Sequence, residues 1–267
     1  MSEVKKTKVH LISGFLGTGK TTALKSLMEQ KDPNEKWVII VNEFGEIGID
    51  GAVLSDNGIP VAEIAGGCLC CTAGPQMGVT VQKMLRDAKP DRLMIEASGL
   101  AHAASVIDEL KAKPLDSLLE IGAVFTVVDP RQFINPDYAQ QALYKDQIGI
   151  CDVLVASKTD LCTPEQLAEF HDKAAKLFPP KAKVVEVQNA QFDIQWLDIP
   201  VIEKSRYRLK ALPDNTMGFQ SQGFTFPAGR DFDGEKLTNF FNDLTKFTDG
   251  LVRAKGVFQV LGTWVWL

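Results

Sequence analysis

Eight residues, Gly14-Phe15-Leu16-Gly17-Thr18-Gly19-Lys20-Thr21, fit the spacing Gly, four residues, Gly-Lys-Thr. That spacing reads as a phosphate-binding loop. Its glycines let the backbone curl until several N–H groups point at one anion. A helix start adds partial positive charge at the same point. Lys20 should reach the β- and γ-phosphates, and the Thr21 hydroxyl should ligate Mg²⁺. A second group is Glu96-Ala97-Ser98-Gly99-Leu100, at the end of an aliphatic run. An acidic residue there sits across Mg²⁺ from the loop, which places Glu96, directly or through water, and Gly99 would let the backbone approach the γ-phosphate. A third is Ser157-Lys158-Thr159-Asp160. An Asp there can accept both N–H donors of guanine, a pair that adenine lacks, so Asp160 would discriminate between the bases.

Cys68, Cys70 and Cys71 put three thiols within four residues, out of five cysteines in the chain. Thiolates at this spacing can converge on one soft cation such as Zn²⁺ or Cu⁺. Buried apolar cysteine is the bland alternative, and Gly66 and Gly67 just before argue against a core strand. Three thiols do not close a tetrahedral structural site. They suit transient holding, with a fourth ligand from water, another side chain or a partner. The acidic loop Asn42 to Asp50 could see Mg²⁺ or its waters, but by itself reads as a solvated turn. His102 reads as a surface or hydrogen-bonded residue before it reads as that fourth ligand.

These groups need elements to hold them. Lys8 to Ile12, Lys36 to Val41, Ile59 to Ile64, Asp91 to Ile95, Ile121 to Asp129, Asp152 to Ala156 and Lys183 to Gln188 are short aliphatic runs, which predict buried strands of a parallel sheet. Between them, Thr22 to Glu29, Val79 to Ala88, Pro136 to Ile150 and Glu165 to Leu177 read as helices. Ala23, Leu24, Leu27 and Met28 form one inward face, Val81, Met84 and Leu85 another, and Ala139, Leu143 and Ile148 a third. Asn189-Ala190 could close over the base. Trp196 to Asn215 has two prolines and no period, and reads as a linker. Beyond it, Phe219 to Phe226 reads as an antiparallel strand. Asp233 to Phe247 reads as a helix with Leu237, Phe240, Phe241, Leu244 and Phe247 on its face. Leu251 to Trp266 reads as a second strand, interrupted at Gly256 and Gly262.

The 267 residues suit one large domain and a small one, and 45% apolar with 24% charged residues is ordinary for a globular chain. A net charge of −5 argues against a nucleic-acid partner reached by bulk electrostatics. No apolar run reaches membrane-spanning length, and the N-terminus does not read as a signal peptide. The expected compartment is the cytoplasm, where thiols stay reduced.

Together, Gly14 to Thr22, Asn42 to Asp50, Gly67-Cys68-Leu69-Cys70-Cys71 and Glu96 to Leu100 resemble the CobW family of P-loop GTPases, which are metallochaperones and metal-homeostasis proteins. Cys-x-Cys-Cys between the phosphate loop and Glu-x-Ser-Gly is highly specific for that family, and Arg253-Ala254-Lys255-Gly256 also matches. The likeness departs at Ser157, where Asn is usual, and at His102, which follows Leu100-Ala101 where an acidic residue and proline often stand. The chain also stops at Leu267, where the family's C-terminal domain usually continues through more strands. A sheet ending there would leave an exposed edge, so a shortened chain or a covering partner is expected.

The resemblance implies an α/β fold: a P-loop NTPase with a mostly parallel sheet flanked by helices, then a small α+β C-terminal domain. The expected boundaries are 6–195, a linker at 196–217, and 218–267. It implies GTP hydrolysis to GDP with Mg²⁺, coupled to handling Zn²⁺ or another transition metal. Lys20, Thr21 and Glu96 would serve catalysis. Gly14, Gly17, Thr18, Gly19, Lys20, Thr21, Thr22, Gly99, Ser157, Lys158 and Asp160 would bind nucleotide, and Cys68, Cys70 and Cys71 would hold the metal. Expected partners are an unidentified client metalloprotein and, as an assembly, a homodimer. The competing readings are an ATP-dependent P-loop enzyme and a nucleotide-gated metal sensor or scaffold without significant turnover.

Overall fold

The seven aliphatic runs become the seven strands of one sheet in a computed structural model, which describes residues 5–42, 59–64, 74–189, 191–201, 230–247, 257–261 and 263–266. The strands are β1 (Thr7–Ser13), β2 (Trp37–Asn42), β3 (Val61–Ile64), β4 (Arg92–Glu96), β5 (Leu119–Val128), β6 (Val153–Ala156) and β7 (Lys183–Glu186). Their order is β3-β2-β4-β1-β5-β6-β7, and every neighbouring pair is parallel. The described residues fall into two compact units, within Met1–Ser221 and within Gln222–Leu267.

Helices cover both faces of this sheet: α1 (Lys20–Glu29), α2 (Gly74–Ala88), α3 (Ala103–Leu110), α4 (Pro130–Ile134), α5 (Pro136–Ala139), α6 (Ala142–Ile150) and α7 (Pro164–Ala175). Side chains alternate along β1, so Leu11 joins a core with Val38, Leu93, Val81 and Tyr144, while Ile12 joins the opposite core with Leu24, Leu27, Ile39 and Phe125. Burial on both faces is why these strands read as continuous apolar runs. As expected, α1 buries Ala23, Leu24, Leu27 and Met28.

The single helix expected over Pro136 to Ile150 is two shorter pieces, α5 and α6, and a further short helix, α4, precedes them from Pro130. Asp129 and Asn135 each accept a hydrogen bond from the amide two residues on, with proline at the first helical position. Two separate N-caps therefore start two short helices. Gln141 is extended, at φ −67° and ψ 129°, and breaks the chain again before α6. Ala139 is exposed rather than inward, whereas Leu143 and Ile148 are buried as expected.

In the second unit, α8 (Gly234–Phe247) accompanies a hairpin of β8 (Val257–Val260) and β9 (Thr263–Trp266). The expectation is one strand from Leu251 to Trp266 with interruptions at Gly256 and Gly262, and the two described strands lie between and beyond those glycines. The chain reverses after Leu261, which has φ 49°, and Val260 stands opposite Thr263. On α8, Leu237 is buried and the Phe241 ring lies 5.7 Å from that of Phe258. Phe240 is 57% exposed and does not belong to the inward face. The expected strand Phe219 to Phe226 and the Arg253 to Gly256 motif lie outside the described residues. Among the described residues, no helix is long and apolar enough to cross a membrane.

Candidate nucleotide and metal site

β1 lies between β4 and β5, so the chain leaves it toward one side of the sheet and later returns to the other. Ligands of open α/β sheets bind at such a reversal, at the carboxyl ends of the strands. The loop from Gly14 to Gly19 occupies that place. Gly14, Gly17 and Gly19 all have positive φ, at 137°, 73° and 99°. At Gly14 a Cβ would fall 2.2 Å from the Val127 carbonyl oxygen of β5, so only glycine fits there. Lys20 opens α1 and is 5% exposed, and its Nζ donates to the Phe15 carbonyl oxygen at 3.0 Å. The same oxygen accepts from Thr18 Oγ1 at 2.9 Å. Thr22 is exposed on the first turn of α1.

Thr21 Oγ1 donates to Glu96 Oε1 at 2.8 Å, across 75 residues of sequence. Glu96 ends β4 opposite Ile12 of β1 and is 4% exposed. Two hard oxygen donors at a part-buried contact fit a small divalent cation such as Mg²⁺. Gly99 packs against the phosphate loop, where a Cβ would meet Leu16 Cδ2 at 2.6 Å and Leu16 N at 2.8 Å.

At the end of β6, the Ser157 hydroxyl donates to the Thr18 carbonyl oxygen at 2.7 Å and to that of Val128 at 3.2 Å. Lys158 adopts a left-handed conformation, at φ 55° and ψ 35°, which turns the chain into the 3₁₀ turn Thr159–Leu161. Thr159 Oγ1 anchors that turn on the Val187 carbonyl oxygen at 3.3 Å. Asp160 stands exposed on it. The fold thus brings Gly14 to Thr22, Glu96, Gly99 and Ser157 to Asp160 to one edge of the sheet. Cys68, Cys70, Cys71, Ala190 and the loop beyond Asn42 lie outside the described residues. Among the described residues, no group of three or more His, Cys, Asp or Glu side chains could hold a metal.

The roles of Asp129 and Gln147 escaped the sequence reading, and His102 stands differently from its surface alternative. Asp129, at the end of β5, is bonded by Arg131 Nε at 3.0 Å and Nη2 at 2.7 Å. Burial alone would raise its carboxyl, but the Arg131 hydrogen bonds and charge outweigh burial and hold it below the usual carboxylate range. His102 is not a surface residue. It is 3% exposed, with Nδ1 3.7 Å from Asp146 Oδ2. Burial pushes the Asp146 carboxyl up. Gln147 is also buried, and its position one turn beyond Leu143 and Tyr144 was the available signal: a polar residue on an apolar helical stripe.

A family model described as CobW/HypB/UreG, nucleotide-binding domain, matches residues 8–186. The zinc chaperone YeiR of Escherichia coli is 46% identical over 159 residues, which is 60% of this chain and 48% of that protein. The zinc chaperone CobW of Pseudomonas aeruginosa is 30% identical over 233 residues, 76% of this chain and 60% of that protein. The chain therefore spans about half to three fifths of the length of these relatives. Among solved structures, Zn(II)-bound YjiA GTPase from E. coli matches with a TM-score of 0.53 at 19% identity, over 98% of this chain and 89% of that one. At that identity the likeness speaks for the fold.

Proposed function

The chain belongs to the CobW/HypB/UreG nucleotide-binding-domain family, and on that footing we propose that it is a GTP-hydrolysing zinc chaperone that couples its nucleotide state to transfer of the metal to a client protein. The observation that carries the reading is the 2.8 Å contact of Thr21 with Glu96. It joins the start of the phosphate-loop helix to the strand end where a nucleotide-bound cation would lie.

In this reading Gly14 to Gly19 wrap the phosphates with backbone N–H groups. Lys20 Nζ exchanges the Phe15 carbonyl for phosphate oxygens, a stronger charge-assisted bond. Thr21 and Glu96 would hold Mg²⁺, directly or through water, and the ion would neutralise charge developing on the phosphates. Ser157 ties the base loop to the phosphate loop, and Asp160 reads guanine. Gly99 brings the backbone after β4 against the γ-phosphate position. Hydrolysis rests on positioning of the attacking water, so intrinsic turnover is slow. Cys68, Cys70 and Cys71 hold zinc as cargo and leave a fourth position for exchange with the client. The zinc chaperones among the relatives support this assignment of the metal. The cytoplasm is the compartment proposed, and a homodimer the assembly.

The test is competition of GTP, ATP and XTP for one site, with phosphate release measured in parallel. GTP should win in the wild type. Asp160→Asn should shift preference toward XTP, because an amide can donate to the C2 oxygen that replaces the exocyclic amine. Lys20→Ala should abolish binding or turnover. Equal competition by ATP would favour an ATP-dependent enzyme. Binding without multiple turnover would favour a nucleotide-gated sensor, and unchanged turnover in folded Lys20→Ala would end the GTPase reading.

A further inference from the structure

Asp146 and Gln147, adjacent on α6, grip the segment after β4 with opposite polarity. Gln147 Nε2 donates to the carbonyl oxygens of Gly99 at 3.1 Å and Ala101 at 3.2 Å. Asp146 Oδ2 accepts from the Ala104 amide at 3.4 Å, in the first turn of α3, whose N-cap residue His102 supplies no side-chain cap. Carbonyls of the loop thus meet a donor, and an amide of the next helix meets an acceptor. Between them the Ala101 amide closes a tight turn onto the Ser98 carbonyl oxygen at 3.0 Å. α6 is itself tied to the sheet, because Thr126 Oγ1 donates to the Gln147 carbonyl oxygen at 2.6 Å. From the other side Gly99 presses on Leu16 of the phosphate loop. Ser98 to Ala101 is therefore a thin layer with the phosphate loop on one side and the Gln147 amide on the other.

Incomplete hydrogen bonding collects around the same layer. Gln147 Oε1, His102 Nδ1, the Tyr144 hydroxyl and the Ser13 hydroxyl are buried with no hydrogen-bond partner among the described residues. Each such atom costs free energy that a rearranged neighbour could recover. A tightly packed layer with unsatisfied groups beside it has the ingredients of a two-state element, and a switch of this kind responds to whatever contacts one of its states better.

We infer that Gln147 is a positioning residue for the nucleotide response: by holding the Gly99 and Ala101 carbonyls toward α6, it keeps the Ser98–Ala101 turn against the phosphate loop, where it distinguishes GTP from GDP. The inference rests on the guanine-nucleotide reading above. GDP lacks the phosphate that the turn would sense, so its binding rests on the phosphate and base loops and does not need Gln147.

The experiment compares wild-type protein, Gln147→Met and Gln147→Glu by titration with GDP and with a non-hydrolysable GTP analogue, at pH 6 and pH 8, with thermal melts to check folding. Gln147→Met keeps the length of the side chain and removes the donor. It should bind GDP within about twofold of wild type and the analogue about tenfold more weakly. Gln147→Glu places a carboxylate against two carbonyl oxygens at pH 8 and should lose the analogue at least as strongly. At pH 6 its protonated fraction can donate, so part of the affinity should return. A merely structural role would weaken both nucleotides alike. Equal losses for GDP and analogue, or no loss, would overturn the inference. Should Gln147→Met fail to fold, the pH dependence of the analogue-to-GDP ratio in Gln147→Glu decides, and a ratio that does not move with pH overturns it. Wild-type protein that binds neither guanine nucleotide overturns the proposed function and this inference with it. Normal wild-type binding with unchanged ratios in the variants overturns the inference alone.

Discussion

The Ser157 hydroxyl donates to the Thr18 carbonyl oxygen at 2.7 Å, joining the end of β6 to the phosphate loop. A serine here makes the tie with a short side chain, because the Ser157 amide is itself held by the Val128 carbonyl oxygen at 2.8 Å, beside the loop. Ser157→Ala removes a buried donor and leaves the Thr18 carbonyl short of a partner. It should cost about 1 kcal/mol of stability. Because the tie serves both loops, guanine nucleotides of either phosphate count should bind more weakly, by roughly fivefold. Urea unfolding and GDP titration measure the two effects, and an unaltered protein on both counts would remove Ser157 from the site.

Two glycines of the phosphate loop should respond differently to alanine. At Gly14 a Cβ meets the Val127 carbonyl oxygen at 2.2 Å and φ is 137°, so steric overlap and backbone strain add. At Gly17 nothing lies within 4 Å, and φ of 73° is the only penalty. Gly17→Ala should cost about 1 kcal/mol and Gly14→Ala at least about 3 kcal/mol. Equal unfolding midpoints for the two variants would contradict this geometry.

His10 should make stability fall on mild acidification. It is wholly buried, with Nδ1 3.3 Å from the Ala123 carbonyl oxygen and Nε2 3.2 Å from Arg92 Nη1. Burial, then the Arg92 charge, lower its pKa from 6.5 to about 4, while Asp198 pulls the other way. The unfolded chain therefore takes up the proton first, and stability declines as pH drops from about 6.5 toward 4. The full loss is about 3 kcal/mol, of which about 2 kcal/mol appears by pH 5. Asp146, whose carboxyl is raised, works in the opposite direction, so the comparison must be differential. Urea unfolding of the wild type and of His10→Gln at pH 7.5 and pH 5 isolates the imidazole. The wild type should lose more stability than the variant over that interval, and equal losses would mean that His10 is not held neutral.

Zinc affinity should depend on the nucleotide. Cys68 to Cys71 lie in sequence between the Asn42–Asp50 loop and the Glu96–Gly99 loop, both candidates to sense the γ-phosphate. The expected coupling is about 1–3 kcal/mol, with the GTP state binding zinc more tightly so that hydrolysis releases it. By linkage, zinc must shift relative GTP and GDP affinity by the same factor. A zinc-competition titration with each nucleotide, repeated on Cys70→Ser, checks both parts. Identical zinc affinities in the two states end the coupling, and an unaffected Cys70→Ser ends the site.

What the amino-acid order determined by itself is local. The Gly-x-x-x-x-Gly-Lys-Thr spacing dictates a loop at a helix start because its glycines, its lysine and its helical stripe act within a dozen residues. Aliphatic runs dictate strands because burial on both faces leaves no polar period. Tertiary structure decided what meets what. Thr21 reaches Glu96 because β4 and β1 are neighbours although β2 and β3 lie between them in the chain. Ser157 reaches Thr18, and Gln147 reaches Gly99, only once β5 is laid beside β1 and β6 beside β5. The expected helix over Pro136 to Ile150 broke for a local reason: it starts at Pro136 behind the Asn135 cap, but Gln141 is extended and a new helix begins at Ala142, from which Gln147 reaches the Gly99 carbonyl oxygen. Residues distant in sequence acquire a role only through the strand order, and that order is set by the summed packing of both sheet faces, which no window of the sequence contains.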